Sequence, residues 1–171
     1  MPRPGDLGAR RLSSDSETRA SNDHHDALRL WLRLLATSNL VESRVRQGLQ
    51  RQFGTTLPRF DLMAQLERSP EGLKMGELSR RMMVTGGNVT GIADGLEREG
   101  LISRLGDPVD RRALRVRLTP AGRKAFRAMA EAHERWIIEA FGALDRTQLA
   151  RLGELLGQVK AHVVAAREAE K

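Results

Sequence analysis

Two groups of side chains near the middle of the chain have the chemistry to hold a polyanion and read its bases. The first is the run Thr85-Gly86-Gly87-Asn88-Val89-Thr90-Gly91, small and amide residues at the expected start of a helix. Asn88 can bond adenine through both atoms of its amide, Thr90 can meet a thymine methyl or a phosphate, and Thr85 is expected to cap the helix. Gly87 lets the backbone approach closely, and the free N–H groups of a helix N-terminus suit phosphate. The second group is Gly106-Asp107-Pro108-Val109-Asp110-Arg111-Arg112. Gly, Asp and Pro there supply turn chemistry, so Arg111 and Arg112 fall at or just after the tip of a polar hairpin. Arginine so presented is drawn into the negative potential of a narrow minor groove. Arg80 and Arg81, with Lys74, are candidates for positioning phosphates.

The elements that must carry these groups follow from periodicity. A short helix over 75–83 has the apolar set Leu78, Met82 and Met83, and a second helix begins at Thr85 and ends before Gly100 with Ile92 and Leu96 inward. Leu101, Ile102 and Leu105, then Leu114, Val116 and Leu118, alternate with Ser103, Arg104, Arg115 and Arg117, which predicts two strands with a cationic outer face. Helix, turn, helix, strand, basic loop, strand is the order of a winged helix-turn-helix. The predicted fold class is mainly α with a small β-hairpin wing, flanked by helices.

The motif pattern resembles the MarR family of bacterial transcriptional regulators. Asn88, Leu96-Glu97, Gly100-Leu101-Ile102, Asp110-Arg111-Arg112 and Leu118-Thr119 with Gly122 stand in the family's order and spacing. The resemblance implies a homodimer on double-stranded operator DNA, Arg112 as the wing's minor-groove residue and Asp110 as the acid that orients it. Met75 departs from the pattern, since a Ser or Thr often caps that helix in the family. The sequences LPRFDLMAQLERSPEG and GELSRRMMVTGGNVTG also resemble, less specifically, the branch that responds to hydroxycinnamoyl-CoA thioesters.

Composition bounds the other readings. The 171 residues carry a formal net charge of +7, favourable to polyanionic partners. No cysteine is present, so disulfides, thiolate metal sites and a thiol oxidation switch are excluded. Four histidines, no tyrosine, no phosphate loop and no nucleophile elbow leave no enzymatic constellation. His24-His25-Asp26 lacks a third ligand at helical spacing. No metal and no cofactor is expected. No membrane span or signal peptide is recognisable, so a cytoplasmic location is expected.

Residues 1–22, rich in Pro, Gly, Ser and alternating charge, read as a disordered tail. A long helix over 23–53 then carries Leu28, Trp31, Leu32, Leu35, Val41, Val45 and Leu49, and Gly54 closes it. Pro58 starts the next helix, with Phe60, Leu62, Met63 and Leu66 inward. After the wing, Thr119-Pro120 opens one helix and Asp145 caps the last, whose Leu149, Leu152, Leu155, Leu156, Val159 and Val163 form a heptad-like stripe. The expected division is 58–118 for DNA and 23–57 with 119–171 for dimerisation.

From Ala27 to Phe60 six arginines face one acid, against a net of +3 over 74–117. The resemblance makes that first region the roof of an effector pocket. Arg29 and Arg33 with Trp31, Phe60 and Met63 are the candidate effector residues, for a small anionic aromatic acid or its aryl-CoA thioester. The reading is a ligand-responsive regulator, most often a repressor in this family; the alternatives are a DNA-architectural or constitutive regulator without effector, and a protein-interaction module.

Overall fold

The computed structural model describes residues 14–82, 86–106 and 114–170. Along the chain come α1 (Ser14–Phe53), α2 (Leu57–Glu67), β1 (Leu73–Lys74), α3 (Met75–Met82), α4 (Gly86–Arg98), β2 (Ile102–Gly106), β3 (Leu114–Leu118), α5 (Pro120–Ala140) and α6 (Arg146–Ala169). The fold is mainly α with one small antiparallel sheet, in the order β1-β3-β2. Among the described residues no helix is long and apolar enough to cross a membrane.

Helix α1 begins at Ser14, inside the stretch expected to be a tail, and only residues 1–13 of that stretch lie outside the described residues. A low apolar content argues against burial and not against helix. The sheet also gains a strand that the sequence reading missed, β1, paired antiparallel to β3 with Leu73 opposite Val116. Two residues are too few to show a period of two.

The chain forms two compact units, Met1–Ser43 and Arg44–Lys171. In the first, Leu28, Trp31, Leu32 and Leu35 are exposed. The second holds a continuous core: Val45 and Leu49 of α1, Phe60, Leu62, Met63 and Leu66 of α2, Leu78 of α3, Val89, Ala93 and Leu96 of α4, Ile102, Val116 and Leu118 of the sheet, and Met129, Ala132 and Trp136 of α5. This cluster draws residues from both sides of the expected boundaries at 57/58 and 118/119. The flanking helices therefore help to build the core on which the helix-turn-helix stands.

Two glycines make that packing possible. A Cβ on Gly48 would lie 2.6 Å from the Trp136 ring, so Gly48 is what lets the indole lie flat on α1. At the start of α5, Thr119 caps the helix by accepting from the Gly122 N–H at 2.9 Å while donating to the Gly100 carbonyl at 2.7 Å. A Cβ on Gly122 would stand 1.9 Å from the Leu101 carbonyl oxygen, a contact between backbones that no rotamer change relieves. Gly122→Ala is therefore expected to destabilise the protein by about 1–3 kcal/mol or more through overpacking. Urea unfolding checks this, and a midpoint equal to that of the parent chain would contradict the packing.

Candidate nucleic-acid interface

Helix α4 is held by its apolar face and offers the other. Val89, Ala93 and Leu96, spaced by four and three residues, are fully buried, whereas Gly86, Gly87, Asn88, Thr90 and Gly91 are exposed. The outer surface of its first turns thus has no side chain bulkier than an amide. The Thr90 hydroxyl donates to the Gly86 carbonyl at 3.0 Å, which commits its proton to the helix, so that it has no donor left for a phosphate. Thr85, the expected cap, lies outside the described residues.

Strands β2 and β3 pair from Ile102 with Leu118 to Gly106 with Leu114. Asp110, Arg111 and Arg112 lie outside the described residues. Ile102, Val116 and Leu118 face the core as their alternation predicts, but Leu105 and Leu114 are exposed, because the hairpin runs past the edge of the core at that end. The expected cationic outer face is also partly used up within the protein. Arg104 bonds both Asp94 and Glu97 of α4, the latter at 2.9 Å, and Arg115 donates to the Gly72 carbonyl at 3.2 Å. Arg117 is exposed.

The two arginines expected at phosphates part company. Arg80 is exposed. Arg81 bonds Glu77 at 2.7 Å and Ser69 Oγ at 3.2 Å and lines a cleft of about 600 Å³ between α2, α3 and α5. The cleft has an aromatic wall, with Phe60 stacked on Phe126 at 5.5 Å and tilted against His133 at 5.1 Å. Arg68, Gln65 and the acids Asp61 and Glu67 supply the polar lining on the α2 side.

Of the candidate effector residues, only Phe60 lines this cleft. Met63 is 1 % exposed and belongs to the core with Leu62 and Leu66, whereas Phe60, Asp61, Ala64, Gln65, Glu67 and Arg68 line the cleft. Arg29, Trp31 and Arg33 belong to the first compact unit; Arg29 pairs with Asp26 at 3.3 Å and Trp31 is 55 % exposed. The sequence reading missed Arg68, Phe126 and His133, because a cleft assembled from three helices leaves no contiguous motif.

The family model described as "MarR family" matches residues 55–114. A crystal structure of a MarR family transcriptional regulator from Silicibacter pomeroyi superposes with a TM-score of 0.69 at 31% identity, over 82% of this chain and 97% of that one. The chain belongs to the MarR family. Sco3205 of Streptomyces coelicolor, a MarR family regulator solved in complex with DNA, is 26% identical with a TM-score of 0.68, over 78% of this chain and 88% of that one. The transcriptional activatory protein BadR of Rhodopseudomonas palustris is 27% identical over 127 residues, 73% of this chain and 71% of that protein. This MarR-family chain is thus a DNA-binding transcriptional regulator, with α3 and α4 as its helix-turn-helix and β2–β3 as its wing.

The committed Thr90 proton has a measurable consequence. Thr90→Val keeps the methyl group and removes the hydroxyl, and is expected to change DNA affinity by less than about threefold, under the net worth of one hydrogen bond. A loss of tenfold or more in a titration would show the hydroxyl bonding DNA.

Proposed function

We propose that this MarR-family chain acts as a homodimeric repressor on a pseudo-palindromic operator and is released by a small anionic aromatic effector. The observation that carries the DNA reading is the exposed, small-residue surface of α4, where Asn88 stands among glycines with nothing bulky to keep it from base edges. Gly87 and Thr90 flank it, Arg80 stands on α3, and Thr85, Asp110, Arg111 and Arg112 complete the proposed set of DNA-contacting residues. Unburied apolar surface supports the dimer. Helix α6 buries none of its residues, and its Leu155, Val159 and Val163 are exposed, as are Leu28, Trp31, Leu32 and Leu35 of α1. Apolar surface of that extent is rare on a monomer, and a second copy of the same helices would cover it.

Support for the effector comes from the cleft. An aromatic wall of Phe60, Phe126 and His133 beside Arg68 and Arg81 complements an aryl ring with a carboxylate. The aryl-CoA form draws on the arginines between Ala27 and Phe60, of which Arg29, Arg44 and Arg59 are already in ion pairs. Arg81 of the cleft is likewise paired, with Glu77, which makes Arg68 the proposed partner for the effector's carboxylate. Repression is the proposed sign of control, although BadR is described as an activatory protein.

Footprinting should show two protected major-groove segments about one helical turn, roughly 10 bp, apart on one face of the duplex. Arg112→Ala should cost about 1–3 kcal/mol of operator affinity and flatten the preference for A·T pairs beside the half-sites. Protection on opposite faces, or an unchanged footprint and affinity in the variant, would contradict the geometry. For the effector, benzoate, p-coumarate and ferulate are expected to bind and to dissociate the DNA complex, and Arg68→Ala to weaken that response. The corresponding CoA thioesters form the second arm of the titration. If neither arm binds, the effector assignment fails and the DNA reading stands.

A further inference from the structure

The last two turns of α4 carry two acids, Asp94 and Glu97, and a third, Glu99, stands just beyond its end at Arg98. Acids at a helix C-terminus oppose the helix dipole, and acids on an element that approaches DNA repel phosphate. Each is gripped by an arginine from another element. Arg104 of β2 takes Asp94 and Glu97, and Arg59 of α2 takes Glu99. The Arg59 side chain is 24% exposed, and its Nη1 lies 3.9 Å from the point where a Cβ on Gly95 would stand, so the guanidinium is seated against the helix where the helix has no side chain. Among the described residues its Nε is buried without a hydrogen-bond partner.

We propose that Arg59 is a positioning residue for DNA reading: by holding Glu99 from α2 it fixes the roll and slide of α4, and so the angle at which Asn88 meets a base. Val89, Ala93 and Leu96 press α4 onto the core, but apolar contact is non-directional and leaves rotation about the helix axis soft. A charge-assisted bond between a planar guanidinium and a carboxylate is directional. Arg104 fixes one flank of the helix from the sheet, and Arg59 fixes its end from α2. The proposal rests on α4 being the DNA-reading helix, and neither Arg59 nor Glu99 needs to touch DNA.

The test sets positioning against simple electrostatics, which predict opposite signs. Parent chain, Glu99→Ala and Arg59→Met are titrated, at several salt concentrations, against the duplex that the parent selects from a random pool and against a scrambled duplex of equal composition. Glu99→Ala removes a negative charge, so a purely electrostatic role makes it bind both duplexes more tightly. Positioning requires it to bind the selected duplex about tenfold more weakly while the scrambled duplex binds as before or more tightly. Arg59→Met should show the same selective loss with an unchanged slope of log K against log salt, and the double variant should lose no more than either alone. Unchanged or tighter binding of the selected duplex by Glu99→Ala overturns the proposal. So does a salt slope reduced by about one in Arg59→Met, which would make Arg59 a direct phosphate contact. Because Glu99 is half-exposed, its variant decides the matter even if Arg59→Met does not fold. A parent chain that selects no duplex removes the DNA role of α4, and this proposal with it.

Discussion

The backbone at Gly100 and Leu101 is the joint on which the DNA-binding unit depends. Helix α4 ends there because Gly100 takes a left-handed φ of +71°, and the Gly100 and Leu101 N–H groups return to the carbonyls of Glu97 and Leu96. One residue later the chain enters β2. The Leu101 carbonyl accepts from the Thr119 N–H at 3.0 Å, the Thr119 hydroxyl bonds Gly100, and Gly122 lies flat against Leu101. The end of the recognition helix, both strands of the wing and the start of α5 thus share a few backbone atoms. Helix and wing cannot reorient independently at this end.

Charge is distributed by the same economy. The formal +7 overstates what is available to DNA. Arg44 is paired with Glu139, Arg59 with Glu99, Arg81 with Glu77, and Arg104 with Asp94 and Glu97. Arg44 and Arg59 tie one helix to another, Arg104 ties the sheet to α4 and Arg81 pairs within α3, so local counts of basic residues measure internal pairing as much as affinity for an anion. That is why the arginine-rich stretch from Ala27 to Phe60 points less directly to an anionic ligand than its composition alone implies. Ion pairs of this kind are worth little individually at an exposed surface, but their direction fixes orientation where apolar packing does not.

What was legible in the sequence is what is enforced locally. The helix starts at Thr119 and Asp145 are written in side chains that bond a backbone group three residues on, and both are present, the second as a full capping box with Gln148. The inward faces of α2 and α4 follow from spacing, and the joint at Gly100 follows from a glycine that must be one. The family pattern combines these short-range demands, so it survives as a motif. The cleft does not, because Phe60, Arg68, Arg81, Phe126 and His133 come from three helices and share no spacing. Strand β1 was hidden by its brevity, and the beginning of α1 by a composition that resembles a solvated tail. The place of Met63 was not legible because an apolar residue near Phe60 serves equally as packing or as pocket floor until the faces of the helix are known; it is buried in the core.

The seat of Trp136 over Gly48 also gives the chain an optical character. With no tyrosine and two tryptophans, its ultraviolet emission comes almost wholly from Trp136, enclosed in the core of one compact unit, and Trp31, open on the other. An indole shielded from water emits to the blue of one that is wet, so the two units carry distinguishable labels of their own. Loss of the core reports through the enclosed ring, and covering of the apolar surface of α1 reports through the open one, without any added dye.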